Sequence, residues 1–152
     1  MKFTLASAIL ATSALAVPTT KRGNYLSITH FTATAGPSDP GASMQFFVTD
    51  PKYPNDTPTD CNLIWDYGQS PKQTARCNDG EYYIKFPQGA PDFNLFTLEL
   101  QRVNGSIPEK GRAVLNSNAN GDAPGTKWIC HDNPQPDVEI QCAYNGTLYM
   151  SV

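Results

Sequence analysis

Four cysteines, Cys61, Cys77, Cys130 and Cys142, lie in a chain of 152 residues that also carries 13 prolines and 11 glycines. Such a cysteine content, with so many turn-forming residues, predicts a compact, loop-rich domain stapled by disulfides. Four cysteines allow three pairings. The sequential one, Cys61 with Cys77 and Cys130 with Cys142, closes two local loops that each link neighbouring strands. A loop of that size stabilises by roughly 3 kcal/mol in the chain-entropy account. A tetracysteine zinc site does not fit, because no two cysteines stand two to four residues apart and exported thiols oxidise.

Disulfides need an oxidising compartment, and the start of the chain reads as the route to one. Lys2 begins a short basic region, Ile9, Leu10 and Leu15 belong to an apolar stretch, and Ala14-Leu15-Ala16 offers a small-x-small cleavage site. Residues 1–16 are therefore expected to be a secretory signal peptide. They are shorter than the roughly 20 apolar residues of a spanning helix, and no second apolar stretch of that length follows, so no membrane span is expected. Residues 17–22 form a possible short propeptide ending in the dibasic Lys21-Arg22. The remaining 23–152 read as a single domain, secreted and extracellular.

A content of 39% hydrophobic and 16% charged residues is too apolar for a disordered chain. The net charge of −3 argues against a nucleic-acid partner, which ordinarily meets a basic stripe. From Gly23 onward the pattern is of short strands broken by turns. Asn94–Val103 is the clearest, with Phe96, Leu98 and Leu100 on one face and Thr97, Glu99 and Gln101 on the other. Further strands are predicted at Tyr25–Thr34, Met44–Thr49, Cys61–Trp65, Tyr82–Phe86, Arg112–Leu115, Val138–Ala143 and Thr147–Val152. Asn104-Gly105 favours a tight turn, and the last two strands are expected to pair as a hairpin across Asn145-Gly146. The expected fold is all-β: a compact antiparallel barrel or sandwich of about eight short strands.

The two cysteine pairs, Tyr82-Tyr83-Ile84-Lys85-Phe86 after the second cysteine, Trp128-Ile129-Cys130 at the opening of the second pair, and Ile28-Thr29-His30-Phe31 in the first strand carry a resemblance. From Tyr25 to Val152 the chain resembles the secreted fungal Alternaria-major-allergen-like family, which includes elicitors of the plant hypersensitive response. The resemblance implies a β-barrel without established enzyme chemistry, and a role as elicitor or effector. Its implied partners are a host plant protein or a small phenolic ligand. The allergen has an extra N-terminal cysteine that bridges two subunits. Gly23 to Asp60 contains none, so a monomer is expected.

No catalytic, cofactor-binding or metal-binding set is assigned from the residues. His30 falls in a strand and His131 in an expected polar loop, HDNPQPD, and neither stands near Arg76, Arg102 or Arg112 in a ribonuclease-like pattern. A Gly-x-Ser-x-Gly elbow and an acidic calcium loop are absent from the sequence. Asp66, Asp79, Glu81 and Glu99 are the candidates for a glycosidase-type carboxylate pair, the basis of an alternative reading as a small extracellular hydrolase. A wall-associated ligand carrier is the third reading. Asn104-Gly105-Ser106 and Asn145-Gly146-Thr147 are possible glycosylation sites, and Asn55-Asp56-Thr57 is weakened by Pro58. Trp65 and Trp128 are expected to pack beside the disulfides. Tyr25, Tyr53 and Tyr67 lie near loops, and the Asp50–Pro58 loop is the segment expected to meet a partner.

Overall fold

A computed structural model describes residues 24–37, 41–105, 109–121 and 124–152. The expected signal peptide, 1–16, and propeptide, 17–22, lie outside the described residues. Nine strands and one 3₁₀ turn, Pro124–Lys127, are formed among the described residues. The strands are β1 (Tyr25–Ala35), β2 (Gly41–Thr49), β3 (Thr59–Asp66), β4 (Tyr82–Lys85), β5 (Leu95–Arg102), β6 (Lys110–Asn116), β7 (Trp128–Gln135), β8 (Val138–Tyr144) and β9 (Leu148–Ser151).

They make two antiparallel sheets, one ordered β3-β2-β1-β8-β7 with β9 also on β1, the other β4-β5-β6. The all-β sandwich or barrel expected from the sequence is the fold observed.

Strand β1 changes its buried face midway. Leu26 and Ile28 point inward, but so do Phe31, Ala33 and Ala35. An inserted residue between Thr29 and Thr32 shifts the register against β2, and His30 adopts a positive φ of 52° there. A β-bulge switches the buried face in this way and sharpens the twist. Opposite the bulge, β8 pairs with the second half of β1 (Thr32↔Ala143 to Ala35↔Ile140) and β9 with the first half (Tyr25↔Ser151 to Ile28↔Leu148). Thus β8 and β9 follow one another along the same edge. Asn145-Gly146, with Gly146 at φ 98°, is the joint between them and not the hairpin turn expected.

The hairpin that does form joins β7 to β8 across Pro136-Asp137, with Cys130 directly opposite Cys142. Asp137 takes a φ of 66° in that turn. Strand β7 is the element missing from the sequence reading. Its Pro134 and the following Pro136 read as loop, yet it is an edge strand, where a missing N–H costs no ladder bond. Asn104-Gly105 likewise closes no tight hairpin, because β5 ends at Arg102 and β6 begins at Lys110.

The core lies between the sheets. Phe31 and Trp128 stack at 4.7 Å, and Phe96 of the second sheet meets Phe31 at 6.4 Å and Trp128 at 5.6 Å. Trp65 meets Phe93 edge-on at 5.9 Å. The Trp128 indole N–H donates to the Phe93 carbonyl at 2.7 Å, giving a fully buried Trp the partner its polar end requires. The sulfurs of Cys130 and Cys142 sit 3.5 and 4.0 Å from that same carbonyl oxygen. Trp128 therefore packs beside a disulfide as expected, while Trp65 is held mainly by Phe86 and Phe93. Both disulfides have the sequential pairing, and no free cysteine remains to bridge subunits.

Candidate functional site

Among the polar side chains described outside the apolar core, three groups stand out, and the third of them frames open space. The first closes one end of the sandwich. Arg102, the last residue of β5, is buried and sends Nε to the Asn104 carbonyl (2.7 Å), Nη1 to the Tyr82 hydroxyl (3.0 Å) and Nη2 to Asp56 Oδ2 (2.7 Å). Its guanidinium lies 3.4 Å from the centroid of the Tyr53 ring, and Glu81 Oε2 is 3.4 Å from Nη2. The Tyr82 hydroxyl donates to Asp50 Oδ2 at 2.8 Å. Burial, with Asp50 beside it, holds the Tyr82 hydroxyl protonated far above the ordinary tyrosine range.

Asp50 Oδ1 also accepts from the Lys52 N–H at 2.8 Å, and Thr57 Oγ1 ties Asp50 and Tyr53 together. Glu109 contacts Asp50 and reaches Lys52 Nζ at 2.5 Å. Burial, then the neighbouring Asp50, raises the Glu109 carboxyl above its usual range against the opposing pull of Lys52.

This network shows how the segment expected to meet a partner is held. The Asp50–Pro58 loop is fastened to the β4–β5 end of the fold through Asp50, Asp56 and Tyr53, although Pro51, Pro54 and Asn55 remain exposed. Tyr53 has one ring face covered by Arg102, so it is no free anchor. Tyr25 meets Tyr149 edge-on at 5.2 Å, whereas Tyr67 is 44% exposed.

The second group is the outer face of the smaller sheet. Glu99 is buried between Arg112 Nε (2.6 Å) and Lys110 Nζ (3.1 Å). Burial opposes its ionisation, but the bonds from Arg112 and Lys110 win and lower its pKa. Beside it Lys85 donates to Gln101 at 2.8 Å, and Arg76 donates to the Tyr83 hydroxyl at 2.6 Å with its guanidinium 4.4 Å from that ring's centroid.

The carboxylate candidates do not converge. Asp66 is exposed at the end of β3, Asp79 accepts from the Glu81 N–H at 2.9 Å, Glu81 faces Arg102, and Glu99 belongs to its cation pair. The carboxyl groups that do meet, Asp50 and Glu109, were not singled out in the sequence. They are buried neighbours, with Lys52 Nζ against Glu109 and the Tyr82 hydroxyl on Asp50. His30 is exposed at the bulge, edge-on to Phe47 at 5.7 Å. His131 stands in β7 and not in a loop, exposed opposite Gln141. Among the described residues no group of three or more His, Cys, Asp and Glu side chains could hold a metal ion, and no helix is long and apolar enough to cross a membrane. Asn104 and Asn145 are both exposed.

The third group frames a cleft of about 490 Å³ between β3 and the segment 69–76, where the larger sheet stands apart from the smaller. Asn62, Ile64, Trp65 and Asp66 line one wall, and Ser70, Pro71, Lys72, Thr74, Ala75 and Arg76 line the other. No sequence signal marked it, because it exists only where two sheets fail to meet. No protein-family model and no curated protein matches the chain.

Proposed function

We propose that the chain is a secreted fungal protein that acts outside the cell by binding, as an elicitor or effector that triggers or modulates plant defence. Its partner on this reading is a host plant protein or a small phenolic ligand. The reading rests on the resemblance of the cysteine and strand pattern. The observation that supports it best is the frame itself: two antiparallel sheets fastened by intrachain disulfides, with Arg102 and Glu99 paired inside the fold and an open cleft beside the free edge of β3. A rigid scaffold presenting an edge and loops is suited to recognition.

The test is to express the full chain in a secreting yeast, purify the oxidised protein from the medium, and infiltrate it into leaves beside a reduced and alkylated control. Cell death or defence-gene induction by the oxidised form alone is expected. Turnover of polysaccharide or RNA by the same preparation, lost on replacing one acid, would transfer the assignment to a hydrolase.

A further inference from the structure

The cleft between β3 and the segment 69–76 is bounded by unused backbone on both walls. In an antiparallel strand, alternate residues turn both their N–H and C=O to the same edge. The Asp60 carbonyl, on the edge of β3 away from β2, accepts from the Asn78 N–H at 2.8 Å, and the Asp66 carbonyl accepts from the Gln69 N–H at 3.0 Å. Asn62 and Ile64 share their parity, so their backbone groups face the cleft. Across it, the Cys77 N–H bonds to the Tyr82 carbonyl and the Ile84 N–H to the Ala75 carbonyl, with Arg76 opposite Tyr83 between them. The backbone N–H and C=O of Arg76 therefore point away from β4, toward β3.

The walls are joined at one end by the Cys61–Cys77 disulfide and the Asn78–Asp60 bond, and splay apart from there. The opening lies between the free edge of β3 and the backbone of Arg76.

We propose that an extended, carboxylate-bearing peptide segment of a partner protein occupies this position, adding a strand to β3 and pairing on its other side with Arg76. Three observations favour that occupant. Proteins ordinarily blunt an edge with Pro, Lys or a bulge, yet β3 (TDCNLIWD) has none of these and leaves Ile64 61% exposed. The other edge of the same sheet, β7, carries Pro134 and a bulge. The far wall presents Lys72 and Arg76, both exposed, against the single acid Asp66, which selects carboxylates over cations. A second copy of the chain is disfavoured, because a two-fold pairing of β3 edges would bring the two 69–76 segments against each other. Strand addition derives its affinity from main-chain bonds and its selectivity from alternate side chains.

The inference deepens the binding reading and rests on it, but fails separately from it. The probe is a capped heptapeptide alternating Val and Glu. Its controls are a version with alternate peptide nitrogens methylated and one with Lys in place of Glu. Addition to the full oxidised protein is expected to slow amide hydrogen exchange at Asn62, Ile64 and Arg76 by tenfold or more. Methylation should abolish binding and Lys should weaken it at least tenfold. Ile64→Pro removes the cleft-facing donor without touching the β2 ladder and should abolish protection. Lys72→Gln, which leaves the strand intact, should weaken binding severalfold at unchanged melting temperature, and Arg76→Gln should do so with at most the small loss of its exposed contact with Tyr83; both keep the test sound if Ile64→Pro does not fold.

Equal binding of the methylated peptide would overturn strand addition in favour of a side-chain pocket. Protection of Asn62 and Ile64 that rises with protein concentration alone would make a second copy the occupant. Absence of protection at millimolar probe would also overturn the proposal. Variants that no longer bind peptide but still provoke the leaf response would remove the cleft and leave the elicitor reading standing.

Discussion

The Tyr82 hydroxyl stands between two opposite charges, donating to Asp50 Oδ2 at 2.8 Å and accepting from Arg102 Nη1 at 3.0 Å. One phenol thereby links the proline-rich loop after β2, the first strand of the smaller sheet and the end of β5. Tyr82 is fully buried and Asp50 and Arg102 nearly so, so each bond replaces one that water would have made. Tyr82→Phe leaves the ring packing and removes both bonds, and is expected to destabilise by about 1–3 kcal/mol. Arg102→Met removes the donors to the Tyr82 hydroxyl, the Asn104 carbonyl and the half-exposed Asp56, and should cost about 1–3 kcal/mol, the usual loss when buried acceptors are left without a donor. Urea unfolding monitored by tryptophan fluorescence measures both. Equal stability of Tyr82→Phe and the parent would show that the phenol fills space and joins nothing.

Two buried carboxyls respond to pH in opposite senses. Glu109 has a folded pKa above its unfolded value because of burial and of Asp50, so the folded state holds its proton more tightly. Its ionisation therefore costs stability, beginning near the ordinary carboxyl pKa of about 4.3 and growing as pH rises toward the folded value. Glu99 has a folded pKa below its unfolded value; burial opposes ionisation but Arg112 and Lys110 outweigh it. Its contribution is present above the unfolded pKa and is lost as pH falls through the folded one. Melting temperatures from pH 3 to 8 should then show Glu109→Gln gaining on the parent as pH rises. Glu99→Gln should lose against the parent over the same range, with the two converging at the acid end. Parallel curves for either variant would contradict its assigned environment.

The sequence displayed what depends on near neighbours. The alternation of Phe96, Leu98 and Leu100 is the buried face of β5, and the sequential cysteine pairing places each disulfide in a short loop, with separations of 16 and 12 residues. What stayed hidden is non-local. In β1 the buried parity changes at His30, so its pattern alternates only in halves. Strand β7 carries Pro134, which is tolerated because its outer edge needs no donor. The network joins Tyr82 to Asp50, Arg102 to Tyr82 and Arg102 to Asp56 across 32, 20 and 46 positions, and no local pattern can mark residues that meet only after both sheets have formed. The cleft is hidden for the same reason.

Glycan attachment should follow the freedom of the residues after each Asn, since Asn55, Asn104 and Asn145 are all exposed. Asn145 sits in the joint between β8 and β9 with Gly146 at a positive φ, and Asn104 lies past the end of β5; both are exposed. In Asn55-Asp56-Thr57 the Thr57 hydroxyl is bonded to Asp50 and Tyr53, and Asp56 pairs with Arg102. A glycan at Asn55 would hinder that closure. Protein recovered from a secreting yeast is expected to lose mass on deglycosylation, with the loss removed by Asn145→Gln combined with Asn104→Gln. Occupancy at Asn55 in folded, secreted protein would contradict this.

The two disulfides should not be equivalent, although loop entropy alone makes them so. Closing loops of these lengths contributes roughly 3 kcal/mol each. Cys130 and Cys142, however, face each other in a β7–β8 ladder that hydrogen bonds and a two-residue turn already hold. Cys61 and Cys77 join one sheet to the segment that leads into the other, where the neighbouring link is the Asn78–Asp60 bond. Cys61 and Cys77 are both buried, whereas Cys130 is only partly so, and exchange with a thiol reductant requires access to a sulfur. Mild reduction of the native protein, followed by alkylation and mass spectrometry, should open Cys130–Cys142 first and fray the outer hairpin. Cys61–Cys77 should yield only with wider unfolding, and replacing that pair with alanines should lower the melting temperature more than replacing the other. Hydrogen exchange should then rise along β3 and β4 in the first variant and along β7 in the second. Simultaneous opening of both disulfides would mean that reduction passes through global unfolding and that the hairpin has no independent motion.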